Sequence, residues 1–331
     1  MNILQTQSFK NFAIIGTGAI GGYYGARLQE SGHSVHFLLH SDYEHLRQHG
    51  LLVESIKGDL ALPKINAYHD PRQMPAADVV IIALKTTQNH LLDELLPTLI
   101  KDNTVVLTLQ NGLEVEHSIP PFINPAQIIG GLCFICSNKD GAGHIRHLDY
   151  GQITLGAYGA DKQPRGITKI MQALAQDFEQ SKIPVQLTED LYMARWRKLV
   201  WNVPFNGLSV VLDTTTDKLL HNKATRALVK TLMKEVAVTA NAWGDKLSLG
   251  QVRGIPAVFI EHMIEVTEQM KPYRTSMKID YDQGRPLEIE AILGNSVRAA
   301  QEVNVTTPYM TMLYQQLNFL EQQRLTQYKY S

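Results

Sequence analysis

Three polar residues recur at a four-residue interval inside an otherwise apolar stretch: Lys198, Asn202 and Asn206. On an α-helix this spacing sets all three along one stripe. Their neighbours Leu199, Val200, Trp201, Val203, Phe205 and Leu208 make most of that helix apolar and fit for burial. A buried polar group without a hydrogen bond costs about 1–3 kcal/mol, so the stripe needs partners. Two arrangements satisfy it: a cleft that holds a polar ligand, or a structural lysine–acid pair with the asparagines bonded to backbone. In the first, desolvation makes the ammonium easier to discharge, as a proton donor to a carbonyl oxygen requires. Pro204 removes one N–H from the helix ladder and predicts a kink or break between the asparagines.

A second pattern lies near the start of the chain. Gly16-Thr17-Gly18-Ala19-Ile20-Gly21 is a G-x-G-x-x-G directly after an apolar run and at the head of a helical one. Gly16 permits a tight turn, Gly18 lets a pyrophosphate approach the backbone, and Gly21 lets the helix pack closely on the strand. The helix N-terminus then offers free N–H groups and a partial positive charge to phosphates. This predicts dinucleotide binding along residues 16–21. Positions 36–41, where an acid would bond the ribose 2′-OH of NAD, carry none. The strand ends at His40-Ser41, and Asp42 is read as the cap of the helix that follows. NADP (NADPH) is the expected cofactor, with His40 beside its 2′-phosphate as a weaker clamp than arginine.

The other reactive side chains form no such pattern. Cys133 and Cys136 stand in the apolar run 131–137 with no second ligand pair, and read as small residues of a buried strand. His144 and His147 sit three apart in a polar loop or short strand, without metal-ligand spacing, so no metal is expected. With 31 Lys+Arg against 32 Asp+Glu, the net charge of -1 argues against nucleic acid or an anionic membrane surface as partner. Apolar stretches such as 79–84 are far shorter than the roughly 20 residues that span a bilayer. The N-terminal ten residues lack the pattern of a secretory signal, and two cysteines make no disulfide framework, so the cytoplasm is the expected location.

The elements that must position these residues fall into two sets. At 331 residues the chain exceeds one ordinary core, which predicts two domains, 1–188 and 189–331. The first alternates apolar runs at 12–15, 34–39, 78–84, 104–109 and 128–134 with helical segments at 19–31, 88–100 and 112–118. That alternation is the βαβ signature of a parallel sheet covered on both faces. Short strands at 143–147 and 152–156, a helix at 167–181 and a strand at 185–187 predict a mixed edge. From 189 the period becomes about 3.6, with helices at 190–208, 218–242, 256–270, 288–302 and 306–326. The fold class is therefore α/β, an N-terminal Rossmann-type doubly wound sheet with a second, all-α C-terminal domain.

Further motifs, in order, give the chain a family likeness from Asn11 to about Leu320. After the glycine motif come Leu84-Lys85-Thr-Thr-Gln88, then Gln110-Asn111-Gly112, then Lys198-x3-Asn202-x3-Asn206. The last is Ser276-Met277-x2-Asp280 with Glu288 twelve residues after the serine. In this order and spacing the sequence resembles the ketopantoate reductases (2-dehydropantoate 2-reductases). The resemblance implies NADPH-dependent reduction of a small 2-keto acid, ketopantoate on the route to pantothenate, to (R)-pantoate. It implies Lys198 as general acid and Glu288 as the residue that orients substrate and lysine. Asn111 and Ser276 would hold the substrate near the nicotinamide, Asn202 and Asn206 would bind its polar groups, and Lys85 and Asn111 would line the cofactor site. The expected site therefore draws on both halves of the chain, and a homodimer is compatible with it. In the family an arginine often ends the second strand, where this chain has His40. Another polar contact usually follows the asparagine helix, where this chain reads Asp213-Thr-Thr-Thr216. Two other enzymatic readings are a reductase of another branched 2-keto acid and a hydroxy-acid or sugar-phosphate dehydrogenase. A non-catalytic NADP(H)-binding sensor is the reading from a different class. Fold alone does not choose among them.

Overall fold

A computed structural model of the chain describes residues 8–247 and 253–330, so most of the N-terminal segment read for a signal lies outside the described residues. The chain forms two compact units. One contains Val115–Leu191 and the described residues up to Gln110; the other contains Asn111–Glu114 and the described residues from Tyr192 onward.

The first unit runs β1 (Asn11–Ile15), α1 (Ala19–Glu30), β2 (Ser34–Leu38), α2 (Tyr43–His49), β3 (Leu51–Ser55), β4 (Leu60–Leu62) and β5 (Asn66–Tyr68). It continues with β6 (Val79–Ile82), α3 (Leu92–Leu95), β7 (Val105–Thr108), β8 (Ile128–Gly141), β9 (His144–Ala157), α4 (Lys169–Gln180) and β10 (Val185–Thr188). The strands make one sheet in the order β4-β3-β9-β8-β7-β6-β1-β2-β5, with β10 added on β9. Strands β7, β6, β1, β2 and β5 are parallel, while β8 with β9 and β3 with β4 are antiparallel. Alternate residues of the parallel strands enter two cores. Phe12, Ile14, Val79 and Ile81 pack on one face with Tyr23, Leu28 and Phe178, and Ala13, Ile15, Val80 and Ile82 pack on the other with Leu92 and Leu96. Burial on both faces is why these strands read as unbroken apolar runs.

Several elements depart from the sequence reading. The helix expected over 88–100 is a 3₁₀ segment, Thr86–Leu91, and the single turn α3, after which Pro97 lacks the N–H a further turn needs. The helix expected over 112–118 is only a 3₁₀ turn, Val115–Ser118, because Gly112 and Glu114 have φ of +118° and +57°, outside the right-handed helical region. The two short strands expected at 143–147 and 152–156 are one strand, β9, paired with a β8 that runs to Gly141 rather than 134. Tyr150 and Gly151 carry positive φ and look like a turn in sequence, but they sit at a bulge within that ladder. The short strands β3, β4 and β5 were not anticipated.

The second unit is helical among its described residues: α5 (Leu191–Val211), α6 (Thr216–His221), α7 (Lys223–Leu247), α8 (Ala257–Gln269), α9 (Ser276–Asp282), α10 (Asn295–Glu302) and α11 (Pro308–Tyr330). α5 passes through Pro204 without a break, its surroundings of Trp196, Val200, Val203 and Phe205 being fully buried. The helix expected over 218–242 divides at Asn222, whose backbone leaves the helical region and whose side chain accepts the N–H of Ala224 and Thr225 as an N-cap. Of the helix expected over 288–302, Glu288 lies outside, Glu290–Gly294 is a π-helical turn and only α10 is α-helical. No described helix is long and apolar enough to cross a membrane.

Candidate active site

The glycine turn meets its three steric requirements separately. Gly16 has φ of +94°, and a Cβ there would lie 2.6 Å from the Leu84 amide nitrogen. At Gly21 a Cβ would lie 2.2 Å from the Gly16 carbonyl oxygen and 2.9 Å from Ile14 Cγ2, so this glycine sets how closely α1 packs on β1. At Gly18 a Cβ would meet nothing within 4 Å, which leaves open the side from which a pyrophosphate would approach. Gly18 is the N-cap of α1, with no side-chain cap and no acid in the first turn. The first intrahelical bond is from Gly22 N–H to the Gly18 carbonyl, so Ala19, Ile20 and Gly21 have no acceptor within the helix. These groups fit a dinucleotide phosphate.

The sheet brings other predicted residues level with this turn. Ile15 is in register with both Leu38 and Ile82, and Ile82 with Thr108, so β1, β2, β6 and β7 end side by side. The chain goes from β1 to β2 on one side and returns to β6 on the other, and such a reversal is where open α/β sheets bind ligands. Lys85 is half-buried at the start of the 3₁₀ segment after β6. Gln110, after β7, donates from Nε2 to the Leu84 carbonyl at 3.0 Å and to Asn89 Oδ1 at 2.6 Å, and its Oε1 accepts from Thr108. It thereby ties the loop that carries Lys85 to the end of β7, a role sequence reading did not assign.

At the end of β2, His40 is exposed. His36 is buried between Ser34 and the Tyr68 hydroxyl, and burial lowers its pKa, so it is a core histidine of β2. Asp42 precedes α2 but makes no cap hydrogen bond, which corrects the expectation for it. Its carboxylate pairs instead with Lys139 at 2.5 Å and accepts the Gly143 N–H and the Ser41 hydroxyl. Cys133 and Cys136 are buried thiols in β8. His147 is buried between Ser55 Oγ and the Asp149 carbonyl, and His144 faces Glu54. No group of three metal-ligating side chains occurs among the described residues.

In the second unit Lys198 and Asn111 come together. Lys198 Nζ donates to Asn111 Oδ1 at 2.7 Å. Asn111 reaches α5 because Asn111–Glu114 belongs to the helical unit although the strand before it belongs to the sheet. Three bonds hold this segment: Leu113 N–H to the Ala291 carbonyl at 2.8 Å, Asn295 Nδ2 to the Leu113 carbonyl at 2.7 Å, and Arg195 to the Gly112 carbonyl at 3.3 Å. Gly112 lies so close to the π-helical turn that a Cβ would be 2.5 Å from the Ala291 oxygen. The π-turn thus forms the seat for the segment that carries Asn111. Neither Arg195 nor Asn295 was singled out from sequence, since nothing local marks them.

Asn202 and Asn206 are buried along α5 on the stripe of Lys198. Asn206 Oδ1 makes no hydrogen bond among the described residues, an acceptor a ligand donor or a water would satisfy. Ser209 donates to the Asn206 carbonyl and bonds Thr275 Oγ1 at 2.9 Å, and Thr275 caps α9 through the Lys278 N–H. Ser276, half-buried as the first residue of α9, is therefore tied to the Asn206 end of the stripe. Glu288 is buried immediately before the π-turn, with its carbonyl accepting from Ile292.

The family model "Ketopantoate reductase PanE/ApbA" matches residues 12–160 and its C-terminal counterpart matches residues 190–321. The 2-dehydropantoate 2-reductase of Nostoc sp. is 56% identical over 312 residues, covering 94% of this chain and 95% of that protein. The chain belongs to the ketopantoate reductase family. A crystal structure of 2-dehydropantoate 2-reductase from Geobacter metallireducens, 40% identical, superimposes with a TM-score of 0.87 over 93% of this chain and 99% of that one. D-mandelate dehydrogenase, solved with NADH and anilino(oxo)acetate, shares the fold at 23% identity and a TM-score of 0.81, covering 95% of this chain and 99% of that one. As a ketopantoate reductase family member the chain is an oxidoreductase with a Rossmann-type nucleotide-binding unit. Where the family usually has a further polar contact, Asp213 pairs with Lys278 at 2.6 Å and Thr216 is bonded to the Tyr273 carbonyl.

Proposed function

We propose that this oxidoreductase reduces 2-dehydropantoate (ketopantoate) to (R)-pantoate for pantothenate synthesis, with NADPH as reductant. The observation that carries the proposal is the 2.7 Å hydrogen bond from Lys198 to Asn111, a cation held at the head of a buried polar stripe. NADPH, when bound along residues 16–21, supplies a hydride to the keto carbon. Lys198 gives its proton to the ketone oxygen as that oxygen gains charge, and Asn111 keeps the ammonium aimed. Asn202 and Asn206 bind the substrate's polar groups, Ser276 holds it from the start of α9, and Lys85 and Asn111 line the cofactor. Glu288 orients both the substrate and the lysine. A cytoplasmic location is part of the same proposal.

The test is NADPH oxidation recorded with ketopantoate and a panel of branched 2-keto acids. Ketopantoate is expected to give the highest kcat/KM; a clear preference for another acid would replace the substrate, and cofactor binding without turnover of any keto acid would favour a sensor. Glu288→Ala is expected to raise KM and lower kcat together, because the carboxylate acts on substrate and lysine alike. Unchanged values of both would remove Glu288 from the site. The cofactor reading is checked by binding: the Kd for NADPH should lie below that for NADH, and His40→Arg should lower it further by adding a bidentate phosphate donor. Equal or tighter binding of NADH would overturn the assignment.

A further inference from the structure

Asp42 stands 21 residues after Gly21, close to where a Rossmann unit places the acid that accepts the ribose 2′-OH of NAD and repels a 2′-phosphate. An acid at this point is at odds with NADPH use unless something neutralises it. Lys139, on β8, does so with its Nζ 2.5 Å from Asp42 Oδ2. Burial pushes the Asp42 carboxyl up, but Lys139, the Ser41 hydroxyl and the Gly143 N–H together hold it below the ordinary carboxylate range, so it stays an anion committed to these donors. The lysine is near the cofactor turn for a structural reason. The far half of β8 runs beside the first turns of α1, where Ser137 Oγ donates to the Ala19 carbonyl at 3.4 Å. Ile145, the register partner of Lys139, packs against Gly22. The Lys139 side chain is one-third exposed, while Asp42 is largely covered, so the lysine is the more accessible member of the pair.

We propose that Lys139 is a determinant of NADPH over NADH selectivity: it withdraws Asp42 from the ribose and presents a cation to the 2′-phosphate next to His40 and Ser41. The proposal deepens the NADPH reading above and rests on it. It also accounts for how a chain with histidine at the end of β2 retains a cation for the phosphate.

The experiment is equilibrium binding of NADPH, NADH and 2′,5′-ADP, followed by calorimetry, to the wild type and to Lys139→Ala, Lys139→Arg and Asp42→Asn. Lys139→Ala should weaken NADPH and 2′,5′-ADP by about tenfold, the size of one charge-assisted hydrogen bond, and leave NADH unchanged or tighter as Asp42 is released. Lys139→Arg should preserve the preference, and Asp42→Asn should bind NADPH at least as tightly as the wild type. If Lys139→Ala weakened all three ligands equally, or left the NADPH to NADH ratio at its wild-type value, the lysine would be structural and the proposal wrong. If Asp42→Asn instead weakened NADH selectively, Asp42 would be bonding the ribose and the proposal would also fall. A wild type that prefers NADH would overturn the cofactor reading itself, and Lys139's role with it, whereas a wild type that prefers NADPH with an unaffected Lys139→Ala ratio would overturn only the latter.

Discussion

Lys198→Ala is expected to lower kcat on the best keto acid by a factor of about 10² to 10⁴, the usual contribution of a positioned general acid, while the Kd for NADPH stays near its wild-type value. The expectation rests on position. Lys198 is half-buried on the stripe of Asn202 and Asn206, and its ammonium is already fixed to Asn111 Oδ1 at 2.7 Å. Removing it leaves the ketone oxygen to take a proton from water, which is neither positioned nor sufficiently acidic. Loss of the nearby bond also frees Asn111, so Asn111→Ala is expected to lower kcat by less than Lys198→Ala, and the double variant by little more than the lysine variant alone. Single-turnover measurement separates this from product release. A Lys198→Ala enzyme with near wild-type turnover would mean that another group delivers the proton.

Gly112→Ala should lower kcat by about a hundredfold and reduce Tm as well. Its φ of +118° is strained for any L side chain, at a cost of about 1–3 kcal/mol, and the new Cβ would lie 2.5 Å from the Ala291 oxygen and 2.7 Å from Ala291 Cβ. Backbone cannot yield as a flexible side chain can, so residues 111–114 must move off the π-turn. The Leu113–Ala291 and Asn295–Leu113 bonds then lengthen or break, and Asn111 loses its place at Lys198. A displacement of about 1 Å in such a group is worth on the order of 10² in rate. Cofactor binding at the glycine turn, which is built from residues 16–21, should change far less. If the variant unfolded, Asn295→Ala would test the same seat more gently, with a smaller fall in kcat that disappears in the Lys198→Ala background. Full activity in both variants would show that the seat does not position Asn111.

What the sequence determined by itself was whatever obeys a local rule. The glycines at 16 and 21 are legible because a turn with φ of +94° and a helix packed closely on its strand leave no room for a Cβ, and Gly18 because the spacing of the motif marks it. The stripe of Lys198, Asn202 and Asn206 is legible because helical periodicity alone aligns it, and the two-faced burial of β1 and β6 because apolar runs admit few other meanings. The tertiary structure decided everything carried by partners distant in sequence. Lys198 meets Asn111 across 87 positions, and Asn295 holds Leu113 across 182. No pattern in the sequence announces that residues 111–114 leave the sheet unit to join the helical one, or that Asp42 surrenders its cap to a lysine on β8. Tyr150 and Gly151 show the converse, a turn-like dipeptide held inside a continuous ladder because pairing along the whole of β8 outweighs the local preference. The reason is common to all of these. Local stereochemistry limits which conformations a segment can adopt, whereas the choice of hydrogen-bond partner for a buried polar group depends on which distant groups the packed core brings within 3 Å of it.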